Sequence, residues 1–507
     1  MRISDWAIKD QQDHSEVSAN VDGFRLWYRV PRSYEISGSA DPFVAAALLP
    51  AMRLGQKIEI SPSLSMSPQL LENLRVFQEI HHCWNPVFKI IPIETKTSSS
   101  RPLQSGVMSF FSGGVDSMYT FLKRQNELTH LVFIQGFDFF AKTGRSEAFS
   151  AEDLSDLSQL SFKLMSAGDE VSAYLKDQFS KKTIEALSEY RSSGQVPEGL
   201  EEGLAEDLNQ LIRGCPIWER RRFAGIRLRP ETKELLKKNP QGEGLNRLNR
   251  LLLEDAYPLE IARQGGHVYE AAIDRNTRFV ESFGKTLIPV STNYFVFGYR
   301  YNLSRILTQG SALAGIALLL GFPRVYVPAA YSYSHLDPSG SHLLTDPLWS
   351  NESVRVVHDG SEARRIDKVL KIAGNETALA NLRVCFADMN VNCGRCSKCL
   401  RTMIPLALLD ASTAPFPSLP SRRALRKMRI ANETEQIFFQ ENFDPILGET
   451  HPELRRALKA IMKRHQRRVL LNDIDADLFG GLIKKAYRRL ARSPRVNIRI
   501  DATPPVD

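Results

Sequence analysis

The sequence predicts an α/β protein built around a parallel β-sheet. Short apolar runs, which are typical of buried strands, alternate with helical patterns over 105–135 and again over 264–373. In the first of these stretches, strand, helix and strand follow each other closely enough to form a βαβ unit, which requires parallel strands. A glycine-rich turn separates the first strand from its helix, and ligands of such sheets bind where strands end.

The composition is that of an ordinary globular protein. The chain has 507 residues, of which 43% are hydrophobic and 24% charged, and this length allows about two to four domains. The longest apolar stretch, 312–322, is too short to span a bilayer, so no membrane contact is expected. The polar, acid-containing N-terminus is unlike a signal peptide, which predicts a cytoplasmic enzyme.

The basic character of the chain is confined to its C-terminal region, 411–507. This region holds 19 Lys and Arg against 11 Asp and Glu, which accounts for the whole formal net charge of +8. After a proline-rich break, the pattern predicts basic helices over 422–430, 454–471 and 478–491. Two interpretations stay open: a solvated helical cap on the core, or a surface for nucleic acid or an acidic partner.

The first 100 residues predict a small α/β domain, followed by a Ser- and Thr-rich linker over 95–102. Asp41 is the expected N-cap of its first helix, and Ser67 with Pro68 opens the second. The His81-His82-Cys83-Trp84 run ends the second helix, where histidine is favoured by the helix dipole, so we expect a structural role. The predicted strands are 24–30, 57–60 and 87–93, and the predicted helices are 42–52 and 68–82.

The turn Ser112-Gly113-Gly114-Val115-Asp116-Ser117 is the main candidate for a ligand site. A buried strand ends at Phe111, and a helix follows the turn to about residue 125. Two glycines let the backbone approach a ligand, and the free N–H groups at the helix start favour an anion such as a polyphosphate. The alternative is a glycine-rich turn without a ligand. Gly284-Lys285-Thr286 is not a Walker loop, because Phe279 stands where that motif needs glycine.

Residues 141–258 interrupt the alternation and predict an inserted helical subdomain or lid. The helix over 310–321 is apolar all round, so we expect it to lie between two layers. The polar stretch 331–349 carries two His, two Asp and aromatics at a strand end, which favours substrate recognition over an ordinary loop. The other predicted elements are strands over 129–134, 286–293, 324–329 and 354–358, and helices over 264–283 and 361–373.

Four of the six cysteines lie close together: Cys385, Cys393, Cys396 and Cys399. Two CxxC steps can fold four thiolates around one tetrahedral ion, for which zinc is the usual choice. The spacing alone leaves an iron–sulfur cluster open. Cys83 and Cys215 stand apart and are expected to be reduced thiols.

Together, SGGVDS and CGRCSKCLR resemble motifs of the PP-loop ATP pyrophosphatase superfamily, and within it 7-cyano-7-deazaguanine synthase. The resemblance covers about residues 105–410 and implies a HUP-like (adenine nucleotide alpha hydrolase-like) parallel-sheet domain. The expected domains are therefore 1–100, 101–410 with the insertion and a zinc loop at 385–399, and a basic helical region at 411–507. Enlarged relatives of this synthase in bacterial anti-phage gene sets are similar in architecture.

The resemblance implies that Ser112 to Ser117 hold ATP with Mg2+, that Asp116 and Ser117 are catalytic, and that the four cysteines bind Zn2+. The enzyme would adenylate a small-molecule carboxylate, with a deazaguanine-type acid as candidate. It would then pass the acyl group to ammonia or a protein amine. Two alternatives stay open: a tRNA-modifying PP-loop enzyme and a non-catalytic nucleotide-binding module. A protein or tRNA acceptor would bind the basic C-terminal region, and a homo-oligomer or larger complex is expected.

Overall fold

A computed structural model describes residues 1–99, 101–135, 266–294, 305–385, 391–421, 433–448 and 450–479, with single positions between some of these ranges. The predicted insertion at 141–258 and nearly all of the predicted last helix lie outside these residues. The described residues form two compact units. Unit 1 draws on Met1–Phe110, Glu127–Val327 and Pro338–His358, and unit 2 on Phe111–Asn126, Pro328–Asp337 and the chain from Asp359.

Unit 1 contains a mostly parallel ten-stranded sheet, which confirms the predicted α/β class. Its strand order is β12-β11-β8-β9-β10-β3-β2-β1-β4-β6, and β5 and β7 pair separately. The strands are β1 Arg2–Asp10, β2 His14–Val21, β3 Phe24–Pro31, β4 Ile58–Ile60, β5 Ser65–Met66, β6 Ile93–Glu94, β7 Lys96–Thr97, β8 Val107–Phe110, β9 His130–Gln135, β10 Thr286–Thr292, β11 Arg324–Pro328 and β12 Arg355–Asp359.

The parallel part of the sheet reverses its direction of growth at β8. From β8 the chain adds β9 and β10 on one side, and then returns to add β11 and β12 on the other. The four adjacent strands β11, β8, β9 and β10 are parallel to one another. In open α/β sheets, ligands bind beyond the carboxyl ends of the strands at such a switch point. The predicted ligand turn is the segment that directly follows β8.

The N-terminal strands extend this sheet instead of forming their own. Strand β3 pairs antiparallel with β10, so that Arg29 lies opposite Ser291 and Tyr28 opposite Thr292. This pairing joins segments that are more than 250 residues apart in the chain. Strands β1 and β2 were not among the predicted elements. Residues 87–92 do not form the predicted strand, since Pro86 and Pro92 remove ladder donors and only Ile93 enters β6.

The helices of unit 1 agree with the predicted helices within a few residues. They are α1 Asp41–Leu54, α2 Pro68–Trp84, α4 Gly266–Glu281 and α5 Arg305–Leu320. Helix α5 is buried along nearly its whole length and packs against α1, as its uniform apolar surface predicts. Ser67 caps α2 by accepting from the Leu70 amide. Asp41 is not the N-cap of α1: Ala40 holds that position, and the buried Asp41 carboxylate accepts instead from the Ser67 amide and the Asn351 side chain.

Unit 2 is largely helical, and the C-terminal region is part of its core. Its helices are α3 Val115–Arg124, α6 Arg365–Ala373, α7 Glu376–Asn381, α8 Ser397–Leu408, α9 Glu433–Gln440 and α10 Pro452–Phe479. One apolar cluster joins α6 and α8 to α9 and α10, through buried residues such as Ile366, Ile404, Phe439 and Leu458. Residues after 410 thus contribute to the apolar core of unit 2. None of the described helices is both long and apolar enough to cross a membrane.

Candidate functional site

The turn between β8 and α3 is held by hydrogen bonds among its own residues. The buried Ser117 hydroxyl donates to the Gly114 carbonyl at 3.1 Å and accepts from the Ser112 amide at 3.2 Å. The Ser112 hydroxyl, which is exposed, accepts from the Gly114 amide at 3.3 Å. Val115 is buried, so it can offer a ligand only its backbone. Ser117 thus shapes the turn, and its predicted catalytic role stays a prediction.

The two glycines of the turn differ in what they require. Gly113 has φ +74°, a left-handed conformation that side chains disfavour. Gly114 has φ −81° and forms the N-cap of α3. A Cβ on Gly114 would lie 3.3 Å from the Ser112 hydroxyl and 3.7 Å from the Arg383 carbonyl. The backbone therefore demands glycine at position 113, whereas at 114 the demand depends on what approaches the turn.

Asp116, in the first turn of α3, is paired with two buried cations. One carboxylate oxygen accepts from the Lys368 ammonium at 3.1 Å and the other from the Arg365 guanidinium at 3.1 Å. Burial alone would raise the pKa of Asp116, but Lys368 and Arg365 outweigh it and hold that pKa below its usual value. Lys368 also donates to the Ala329 carbonyl at 2.6 Å. Both carboxylate oxygens of Asp116 therefore face cations, and a role of this residue in holding Mg2+ stays a prediction.

A second arginine extends this basic cluster. The guanidinium carbon of Arg401, on α8, lies 4.9 Å from the ring centre of Phe438, and that of Arg365 lies 5.9 Å from the same ring. Burial, and next the charge of Arg365, lower the pKa of Arg401 to about 10. Tyr331 is close enough to Arg401 to feel its charge. Burial raises the pKa of Tyr331 above its usual value, although a hydrogen bond with Thr434 and the charge of Arg401 act in the opposite direction. Three cations thus converge near the start of α3.

An ion network fixes the other end of α3. The Asp359 carboxylate, with 2% of its side chain exposed, accepts from Lys123 at 2.9 Å and from Arg124 at 2.7 Å. Tyr119 donates to Glu362 at 2.9 Å, and Lys123 also pairs with Glu362. These contacts tie α3 to the segment just before α6, which carries Arg365 and Lys368. The relative position of the turn and the basic cluster is therefore set at both ends of α3.

The four predicted cysteines come together. Their sulfur atoms all lie within 4.8 Å of one another, and Cys385 and Cys399 are buried. Backbone amides point at the sulfurs: Cys393 N–H donates to Cys385 Sγ at 3.4 Å and Cys396 N–H to Cys393 Sγ at 3.3 Å. Such amides stabilise thiolate charge. The cluster could hold a metal ion such as zinc.

The local sequence explains how this cluster folds. Gly394 has φ +65°, and a Cβ there would lie 2.5 Å from Pro417. The neighbouring Cys396 thiol, and next burial, raise the pKa of Cys399, and burial raises that of Cys393. A thiolate at these positions therefore needs a positive charge beside it. A bound metal ion supplies that charge, and the thiols lose their protons when they bind it. The donor set fits a four-coordinate Zn2+ site without an open position.

The chain segment that enters the cysteine cluster also contacts the ligand turn. The Arg383 amide donates to the Gly113 carbonyl at 2.8 Å. The buried Asn392 side chain braces this segment by donating to the Leu382 carbonyl at 2.8 Å and accepting from the Val384 amide at 2.9 Å. Turn, basic cluster and cysteine cluster are thus parts of one connected site within unit 2.

The polar stretch 331–349 is divided between the two units. Asp346 and His358 form a buried pair at 2.7 Å in unit 1, and the Asp346 carboxylate also accepts from the Ser341 hydroxyl and the His342 amide. These contacts are structural. Only the part up to 337, with Tyr331, belongs to the unit that contains the turn. The recognition role predicted for the stretch stays a prediction.

Sequence reasoning missed Arg365, Lys368, Arg401 and Phe438 as site residues. The run Arg364-Arg365-Ile366-Asp367-Lys368 was visible, but such charge runs are usually solvated. A usable signal is the position of Arg401, two residues after the last metal-ligand candidate. In the basic C-terminal region, several arginines on α10 serve the fold: those that donate to backbone carbonyls are Arg455, Arg464 and Arg468.

No model of a known protein family matches this chain, and no solved structure matches it. The chain therefore resembles the PP-loop enzymes in two short motifs. Its structure shows the α/β sheet, the contacts that connect the turn with the basic residues, and the four clustered cysteines.

Proposed function

We propose that this protein is an ATP-dependent, AMP-forming enzyme that binds ATP at the turn Ser112–Ser117 and adenylates a carboxylate. One observation carries the proposal: Lys368 and Arg365 converge on Asp116 in the first turn of α3, with Arg401 beside them. The helix start adds its partial positive charge, since the first N–H groups of a helix have no carbonyl partner within the helix. A positively charged, partly buried site at a glycine turn suits a polyphosphate better than a neutral ligand.

The chemistry that we propose has two steps. A carboxylate oxygen of the substrate attacks the α-phosphorus of ATP, the bond to the bridging oxygen breaks, and pyrophosphate leaves. A nitrogen nucleophile then attacks the acyl carbon, AMP leaves with the bonding electrons, and the nitrogen loses a proton. Carboxylate oxygen is a poor leaving group and AMP a good one, so the first step makes the second possible.

The residues of the site would act mainly on the charge that develops on pyrophosphate. Lys368 and Arg365 are held in place by hydrogen bonds to Asp116, so they need little reorganisation when that charge appears. Loss of one such donor typically costs about 10²–10³ in rate. Asp116 acts in this scheme by orienting the two cations.

The substrate rests on the resemblance alone, which supplies a deazaguanine-type carboxylate, ammonia or a protein amine as acceptor, and a setting in anti-phage defence. Pyrophosphate release from ATP should be measured with a panel of carboxylates, deazaguanines and tRNA. We expect release with at least one carboxylate and little with tRNA alone. Release that requires tRNA and no carboxylate would favour a tRNA-modifying enzyme, and no release with any compound would favour a binding module.

A further inference from the structure

Two guanidinium groups on different helices contact one aromatic ring. Arg365 on α6 and Arg401 on α8 both lie over Phe438 of α9, at 5.9 and 4.9 Å from its centre. The ring favours each cation through its face. The ring does not reduce the repulsion between the two positive charges, and the charge of Arg365 acts on Arg401. The fold therefore holds the two guanidinium groups together although they repel each other.

Neither guanidinium is fully satisfied by the described residues. The Nε atom of Arg365 and that of Arg401 are buried and have no hydrogen-bond partner there. Arg365 is 7% exposed as a whole residue. A buried donor of a charged group without a partner is costly, and such orphans usually mark a ligand or another functional demand. Two such donors, the Nε groups of Arg365 and Arg401, lie beside one ring and lack a hydrogen-bond acceptor among the described residues.

Three acidic residues act on this pair or on the helix that carries Arg365: Asp116, Glu435 and Glu441. Asp116 is divided between Arg365 and Lys368, so it accepts from only one nitrogen of Arg365. Glu435 acts on Arg401 through its charge, and Glu441 accepts from the Ile366 amide. Guanidinium groups present a planar fork that matches the oxygens of carboxylates and phosphates. An oxyanion shared by both arginines would satisfy the orphaned N–H groups and offset the repulsion.

We propose that Arg365 and Arg401 form an oxyanion-binding subsite over Phe438, which takes phosphate or carboxylate oxygens. The inference rests on the proposed function only for its two candidate sources, the pyrophosphate part of ATP and the carboxylate of the second substrate. The subsite itself follows from the guanidinium pair. It also gives the C-terminal region, which supplies Phe438, a part in ligand binding.

Direct binding to the full chain tests the subsite without turnover. Inorganic pyrophosphate is titrated by calorimetry, and benzoate, an aromatic carboxylate, by ligand-observed NMR. The variants are Arg365→Gln and Arg401→Gln, with Arg395→Gln as the matched control, since Arg395 is an exposed arginine within the cysteine loop 385–399. Arg401→Lys keeps the buried charge but lacks the planar fork, so it reports on the subsite even where Arg401→Gln unfolds.

We expect the Arg365 and Arg401 variants to bind at least one probe about 10- to 100-fold more weakly, as for loss of a hydrogen bond to a charged group. Arg395→Gln should bind like the unsubstituted chain. Loss for pyrophosphate identifies phosphate as the occupant, and loss for benzoate alone identifies the carboxylate. The inference is overturned if the unsubstituted chain binds neither probe, or if folded Arg365 and Arg401 variants bind both as the control does. Binding lost in these variants of a chain that never forms AMP would keep the subsite and reject the proposed function.

Discussion

Replacing Asp116 by asparagine should destabilise unit 2, whether or not the protein binds ATP. The substitution removes the charge that faces Lys368 and Arg365, whose side chains are 1% and 6% exposed. Removing one partner of a buried ion pair typically costs about 3–5 kcal/mol, because the remaining charge is buried without compensation. Since 27% of the Asp116 side chain is exposed, we expect the lower end, about 3 kcal/mol. For a cooperative unit of 150–250 residues, this corresponds to a Tm lowered by roughly 6–12 °C.

Thermal unfolding followed by circular dichroism measures this effect. Asp410→Asn is the matched control: Asp410 lies in the same unit and pairs with His451 at 2.7 Å, but its side chain is 68% exposed. Exposed pairs are worth about 0–1 kcal/mol, so this variant should melt almost like the unsubstituted protein. The lowered pKa of Asp116 sets the sign of the pH dependence. The carboxylate stabilises at neutral pH and loses this effect as the pH falls below the usual range of aspartate, so the two proteins should converge in acid.

A double variant separates charge pairing from simple loss of packing. Lys368→Met alone leaves Asp116 with Arg365 only and the Ala329 carbonyl without its Lys368 donor. Combined with Asp116→Asn, it removes both members of one pair, so the double variant should lose about 0.5–3 kcal/mol less than the sum of the single losses. Additive losses, or equal melting of the Asp116→Asn and Asp410→Asn proteins, would refute the pairing argument.

Four further predictions concern other parts of the chain. Purified protein should carry one zinc ion per chain, and Cys396→Ser should lose both the metal and stability; iron with sulfide in elemental analysis would reject zinc. Gly113→Ala should cost about 1–2 kcal/mol in denaturant unfolding because of its left-handed backbone, and Gly114→Ala clearly less; equal costs would contradict the turn geometry. Burial raises the pKa of Asp41 to about 6, so the unfolding free energy of unit 1 should fall by about 3 kcal/mol as the pH rises from about 4 to 6. An Asp41→Asn protein with the same dependence of stability on pH would contradict this. A chain ending at Leu409 should lose the core of unit 2 and fail to fold cooperatively by calorimetry; a native-like transition would show the C-terminal region to be separable after all.

The parts of the site that follow from local sequence could be predicted. The glycine turn lies between a strand and a helix, and the four cysteines lie within fifteen residues, so adjacent positions determine their geometry. The same holds for α5, whose uniform apolar surface requires burial on all sides. These features depend on periodicity and spacing, which a single sequence displays directly.

The remaining features depend on contacts between distant segments. Lys368 reaches Asp116 across about 250 residues, and a lysine in a charge run is ordinarily solvated, so nothing local marks it as buried. Strand β3 joins β10 across a similar separation, which hid the extension of the sheet. Strand β2 escaped prediction because both of its faces are largely buried and carry polar residues, such as Ser15 on one face and Ser18 on the other, so the hydrophobic alternation is weak. The prediction of Asp41 as an N-cap was wrong because its carboxylate accepts hydrogen bonds from Ser67 and Asn351, which lie in two other segments of the chain.

The most direct test of the account is the identity of the nucleotide products. ATP is incubated with the full chain and a carboxylate that supports turnover, and the products are resolved by phosphorus NMR. We predict AMP and pyrophosphate in equal amounts, formed far more slowly by the Lys368→Met protein and at the unsubstituted rate by Arg395→Gln. ADP and inorganic phosphate as the products would contradict the proposed cleavage between the α and β phosphates, and with it the role given to the turn Ser112–Ser117.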